Sequence, residues 1–90
     1  MRALRGANGL EHDYLRALYE LAGGKAKNAV PYGEVQMELG QSEKEVEEAC
    51  DFWADRGIVE WSGFGHVALT HLGLRRAERL AGRGWTFAPF

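Results

Sequence analysis

The chain holds a single cysteine, Cys50, in 90 residues. A lone thiol closes no internal disulfide and supplies no cysteine metal cluster, which excludes a disulfide-stapled secreted scaffold and a zinc ribbon and points to a reducing, cytoplasmic setting. Long apolar runs are missing as well. The first ten residues carry Arg2 and Arg5 but no hydrophobic stretch of signal-peptide length, and nothing further on is long enough to span a bilayer, so no membrane role is expected. There is no P-loop, no dinucleotide-binding glycine fingerprint, no internal repeat and no low-complexity tract. Catalytic patterns are equally scarce. No serine sits on a nucleophile elbow, His12 and Asp13 are adjacent rather than one helical turn apart, and Cys50 falls on an apolar stripe where a thiol packs as a small hydrophobe. His66 and His71 have no third ligand near them in sequence. The expectation is a protein that is not an enzyme and that holds neither metal nor cofactor.

What is present reads as an ordinary globular chain: 46% apolar and 27% charged residues. At this length one domain is expected over residues 1–90, burying roughly 60–65% of its unfolded surface. Its core should span 10–82, with an N-terminal arm over 1–9 and an aromatic tail over 83–90. The net charge of −2 hides a partition: residues 1–33 hold five bases and three acids, 34–60 two bases and nine acids, and 61–90 four bases and one acid. With no linker in sight, the acidic part belongs to the middle of one fold.

Helical periodicity starts with Tyr14, Leu15, Leu18, Leu21 and Ala22, predicting a first helix from about Leu10 to Ala22 that Gly23 and Gly24 end. Pro31 fits the first turn of a second, short helix reaching Leu39, which Gly40 closes. Ser42 and Glu45 form an S-x-x-E capping box, opening a third helix over 43–56 whose inner face is Val46, Ala49, Cys50 and Trp53. After Gly57 the period changes. Ile58–Trp61 and His66–Leu69 are β-prone runs joined by Ser62-Gly63-Phe64-Gly65, a glycine-bearing hairpin loop. Thr70 caps a last helix over His71 to Ala81, with Leu74, Ala77, Leu80 and Ala81 on one side.

The predicted class is thus mainly α with a small β-hairpin, in the order α-α-α-β-β-α. The segment from Val35 to Cys50, with its Leu39-Gly40 turn and capping Ser42, resembles the helix-turn-helix of winged helix-turn-helix domains. Phe52 to Glu60 resembles that family's exit into the first wing strand, and Val67 to Leu74 its second wing strand and last helix. The likeness, closest to small MarR- and PadR-like bacterial or archaeal regulators, covers about residues 10–81. It implies a transcription regulator that binds duplex DNA as a homodimer, third helix in the major groove. The bases and polar groups placed for such contacts are Arg2, Arg5, Lys25, Lys27, Asn28, Tyr32, Ser42 and Lys44.

The residues on the working face pull the other way. Away from its core stripe the third helix offers Glu43, Lys44, Glu47, Glu48, Asp51 and Asp55, and from Gly57 to Leu74 there is no Lys or Arg. Carboxylates near phosphates repel, whereas duplex affinity rests on bases that displace counterions. Phe64, flanked by glycines at the hairpin tip, has no local way to be buried, and Trp85, Phe87 and Phe90 crowd the end. The alternative is a winged-helix protein-interaction module that offers Glu43, Glu47, Glu48 and Asp51 to a basic partner and docks through Phe64, Trp85, Phe87 and Phe90. In either reading the last helix and tail, with Leu72 and Leu74, are expected to make a homodimer contact.

Overall fold

The computed structural model describes the backbone of residues 2–82 and the side chains of residues 9–82. Four helices, α1 (Arg2–Leu21), α2 (Tyr32–Leu39), α3 (Glu43–Ala54) and α4 (His71–Gly82), surround three short strands, β1 (Val30–Pro31), β2 (Val59–Trp61) and β3 (His66–Leu69). The strands form one antiparallel sheet in the order β1-β3-β2. The molecule is therefore mainly helical with a small sheet. Trp85, Phe87 and Phe90 lie outside the described residues.

The first helix begins at Arg2 rather than near Leu10. Gly6, Asn8 and Gly9 are poor helix formers, which set the expected boundary. Once the packed half is in place, however, each added turn costs only propensity, and Ala3, Leu4, Arg5 and Ala7 offset the glycines. The packed half keeps most of the expected stripe: Tyr14, Leu15, Leu18 and Ala22 are all fully buried, whereas Leu21, the last residue of the helix, is 37% exposed and does not join it. Gly23 and Gly24 end it with positive φ, donating to the carbonyls of Glu20 and Tyr19 at 3.1 and 3.0 Å in a Schellman arrangement.

Pro31 corrects another expectation. It does not open α2 from inside; it is the N-cap, at φ −59° and ψ 132°, and its extended backbone joins Val30 as β1. Because β1 is an edge strand, the missing N–H of Pro31 leaves no ladder partner unsatisfied in the sheet interior. A two-residue strand lies below what hydrophobic alternation can reveal. Its register, Val30 opposite Val67 and Pro31 opposite His66, fixes the start of α2 beside the hairpin.

The third helix follows its cap. Ser42 Oγ accepts from the Glu45 N–H at 3.2 Å, and Val46, Ala49, Cys50 and Trp53 are all buried. The helix stops at Ala54, two residues short of the expected end, because Asp55 is its C-cap and Gly57 turns at φ +72°. Trp53 is the principal tie. Its indole N–H donates to the Glu11 carbonyl at 2.6 Å, His12 meets its ring edge-on, and the Arg76 guanidinium lies 5.7 Å above it, joining α3 to α1 and α4. Burying a ring of this size contributes roughly 2–3 kcal/mol from apolar area.

At the other end of the hairpin Thr70 locks α4 in place. Its Oγ accepts from the Gly73 N–H at 2.9 Å and donates to the Gly57 carbonyl at 2.5 Å, while its own N–H reaches the Ile58 carbonyl. Gly73 makes this approach possible, since a Cβ built on it would stand 1.9 Å from the Ile58 carbonyl oxygen.

Candidate interaction surface

Two elements build the exposed face that the sequence singles out. With Val46, Ala49, Cys50 and Trp53 turned inward, the 3.6-residue period leaves Glu43, Lys44, Glu47, Glu48 and Asp51 outward, and all five are exposed. Glu43 and Glu45 stand in the first turn, where the helix dipole favours negative charge. The dipole accounts for them, but not for Glu47, Glu48 and Asp51 further along.

The hairpin supplies the aromatic half. Strand pairing places Trp61 opposite Val67 and Val67 opposite Val30, so the three share one side of the sheet. Val30 and Val67 belong to the core, and Trp61 carries that apolar side past its margin, remaining 51% exposed. There it meets Tyr32 at the start of α2, ring on ring, with centroids 5.4 Å apart and planes 29° from parallel. The Tyr32 N–H donates to the Gly65 carbonyl at 2.7 Å, pinning α2 to the hairpin loop. At the tip of that loop Phe64 is 100% exposed. His66 Nδ1 donates to the Phe64 carbonyl at 2.7 Å, so the backbone of the tip is tied down while its ring is not.

Behind the stack lies a small polar cluster. The hydroxyls of Tyr14 and Tyr32 are both buried without a hydrogen-bond partner of good geometry. Tyr14 faces the thiol of Cys50, a weak partner; burial, then the neighbouring thiol, raises its pKa well above the ordinary tyrosine value. The Tyr32 phenol is pushed up to about 12, first by burial and then by Cys50, Glu47, Asp51 and Glu43. Burial likewise raises the Cys50 thiol, with Asp51 and Glu47 adding to it, which keeps the sulfur protonated and unreactive at neutral pH.

The groups placed for phosphate contact are largely used by the fold itself. Lys27, at φ +66°, donates its N–H to the Leu69 carbonyl and its Nζ to Glu60 at 2.8 Å. Asn28 Nδ2 donates to the Ala22 carbonyl at 2.8 Å, Ser42 is occupied as a cap, and Tyr32 is in the aromatic stack. Lys25 and Lys44 are exposed, and the side chains of Arg2 and Arg5 lie outside the described ones. On α4, Arg75 and Arg79 are exposed, whereas Arg76 covers Trp53.

Trp61, near Phe64 in sequence, belongs to the aromatic surface beyond what a 90-residue core needs, and the structure makes it the exposed half of the stack. Its signal was the two-residue period of the hairpin, which puts it on the side of Val67 and beyond the core. Among the described residues no three His, Cys, Asp or Glu side chains are grouped as metal ligands, and no helix is long and apolar enough to cross a membrane. Comparison with protein-family models, with curated proteins and with solved structures finds no match.

Proposed function

We propose that this chain is a winged helix-turn-helix domain that docks a basic protein partner through α3 and the hairpin. The order of elements supports the fold reading, with a short strand between the first two helices, a β1-β3-β2 sheet, and a capped third helix leading into a hairpin. The observation that carries the choice of partner is the charge of the exposed side of α3: Glu43, Glu47, Glu48 and Asp51 against Lys44 alone. A duplex brought to that side would set phosphates against carboxylates, while a basic surface would find complementary charge beside exposed aromatic anchors. Leu72, half-exposed on α4, supports a homodimer contact through the last helix.

The runner-up is the dimeric DNA-binding regulator, favoured by the same element order and by exposed Lys25 and Lys44. An NMR titration of the isotope-labelled chain separates the two. A short peptide alternating Arg or Lys with Leu should move the amides of residues 43–51 and 61–65 at ~50 mM salt and less at ~200 mM, while duplex DNA should move none of them. Duplex binding that moves residues 25–32 and 44 instead, with the steep salt dependence of counterion release, would replace the proposal with DNA recognition.

A further inference from the structure

The aromatic stack and the acidic helix stand side by side, and together they narrow the partner's chemistry. We infer that Trp61, backed by Tyr32 on a hairpin strand that packs against the acidic helix α3, is the seat for an arginine side chain of the partner. This assignment rests on the docking reading above and adds a specific anchor to it.

An exposed indole held by a stacked phenol is a pre-set flat surface, and flat surfaces take either a nucleobase or a guanidinium. The sign of the neighbouring charge decides between them. Platforms for single-stranded nucleic acid combine aromatic rings with a positive groove that follows the phosphates. Here the flank is α3, which packs against both α2, the helix of Tyr32, and β2, the strand of Trp61, and exposes Glu43, Glu47 and Asp51. Carboxylates beside an aromatic face fit a planar cation that can stack and hydrogen-bond at once.

Arginine fits better than lysine. Its guanidinium lies flat on a ring, presents paired N–H donors to a carboxylate and sheds water more readily than an ammonium. The molecule already uses this contact within itself: Arg56 lies 3.6 Å from the Phe52 ring centroid, and Arg76 lies 5.7 Å from that of Trp53. Those two rings receive their guanidinium from the same chain. Trp61 has Tyr32 on one side and half its surface open, which leaves room for a guanidinium brought by another. Fully exposed Phe64 at the tip gives the partner an apolar contact next to the seat.

The test uses three capped peptides of one sequence in which the same three positions are arginine, lysine or citrulline. Binding is followed through the indole N–H of Trp61 and the ring signals of Tyr32. The arginine peptide should bind about tenfold tighter than the lysine peptide, and the citrulline peptide should not bind measurably. Trp61→Ala should erase the advantage of arginine over lysine while leaving their shared, salt-sensitive attraction, and Trp61→Phe should keep part of it. Glu47→Gln should weaken both charged peptides. If wild type binds arginine and lysine peptides equally and Trp61→Ala changes nothing, the arginine seat is wrong and the acidic docking face stands. If neither peptide binds, the docking reading falls together with the seat.

Discussion

Two loops lead into the same small sheet and treat their side chains in opposite ways. In residues 27–29 the polar side chains are spoken for: Lys27 reaches Glu60 and the Leu69 carbonyl, and Asn28 closes the end of α1 on Ala22. In residues 62–65 the backbone is held by Ser62, which donates to His66, and by His66, which reaches Phe64, yet the Phe64 ring touches solvent on every side. A base in a loop is easily read as available for a ligand, and an aromatic as available for a core. Here the base serves the fold and the aromatic does not. Which side chains are free depends on partners distant in sequence, as Lys27 and Glu60 show.

The strongest way to test that contrast is to break the framework behind both loops. Gly73→Ala should destabilise by more than about 3 kcal/mol, because the added carbon would collide with the backbone oxygen of Ile58, which no rotamer can move. Helix propensity alone predicts the opposite sign, a gain of about 1 kcal/mol, so a urea titration of the two proteins decides by direction. Loss of the α4 junction should release both loops together.

The next effect is on alkaline stability. Tyr14 is fully buried, and its folded pKa is raised from the ordinary 10.0. Below pH ~10 the phenol is protonated in both states and contributes no pH dependence; above it the unfolded chain loses the proton first, so stability falls as pH rises. The slope should approach about 1.4 kcal/mol per pH unit for this group alone. Tyr14→Phe should remove that part of the slope and, having no strong hydrogen bond to lose, cost no more than about 1 kcal/mol at pH 7. Thermal unfolding at pH 7, 10 and 11 measures it.

These framework residues also show what the sequence made legible. The four helices, the hairpin and the buried side of α3 follow from periodicities and caps written within a dozen residues: Ser42 with Glu45, Thr70 before His71, glycines at 23, 40 and 57. Strand β1 was not legible, because two residues carry no period and its pairing with β3 lies 35 or more positions away. The site was half legible. Phe64 and the acids of α3 could be named, since glycine flanks and helical spacing are local. The Tyr32–Trp61 stack and the Lys27–Glu60 pair could not, because each joins residues about thirty apart that meet only once the sheet has formed.

Within the first loop two smaller effects are expected, of different origin. Asn28→Ala leaves the Ala22 carbonyl without its side-chain donor in a part-buried setting and should cost about 1 kcal/mol. Lys27→Gly removes an ion pair that is substantially exposed, worth at most about 1 kcal/mol, but relieves a left-handed backbone of similar cost. The net change should lie within about 0.5 kcal/mol of zero, whereas Lys27→Ala, which loses the pair and keeps the strain, should be the less stable of the two variants. Denaturant midpoints for the three variants, taken under one set of conditions, give the ranking.

The smallest change in stability belongs to the second loop, and it sharpens the comparison most. Phe64 makes no contact that folding needs, since its ring is as exposed in the folded chain as in an extended one. Phe64→Ser should therefore shift the unfolding free energy by less than about 0.5 kcal/mol. If anything it should raise solubility, because an isolated exposed aromatic between two glycines offers apolar area to any passing surface. The same substitution should weaken binding of the arginine peptide severalfold if the tip supplies the apolar contact beside the Trp61 seat. A clear loss of stability would show that the tip packs on something in the folded chain, and the contrast between the loops would fail. Unchanged stability with unchanged peptide binding would leave the tip outside the docking face and confine that face to α3, Tyr32 and Trp61.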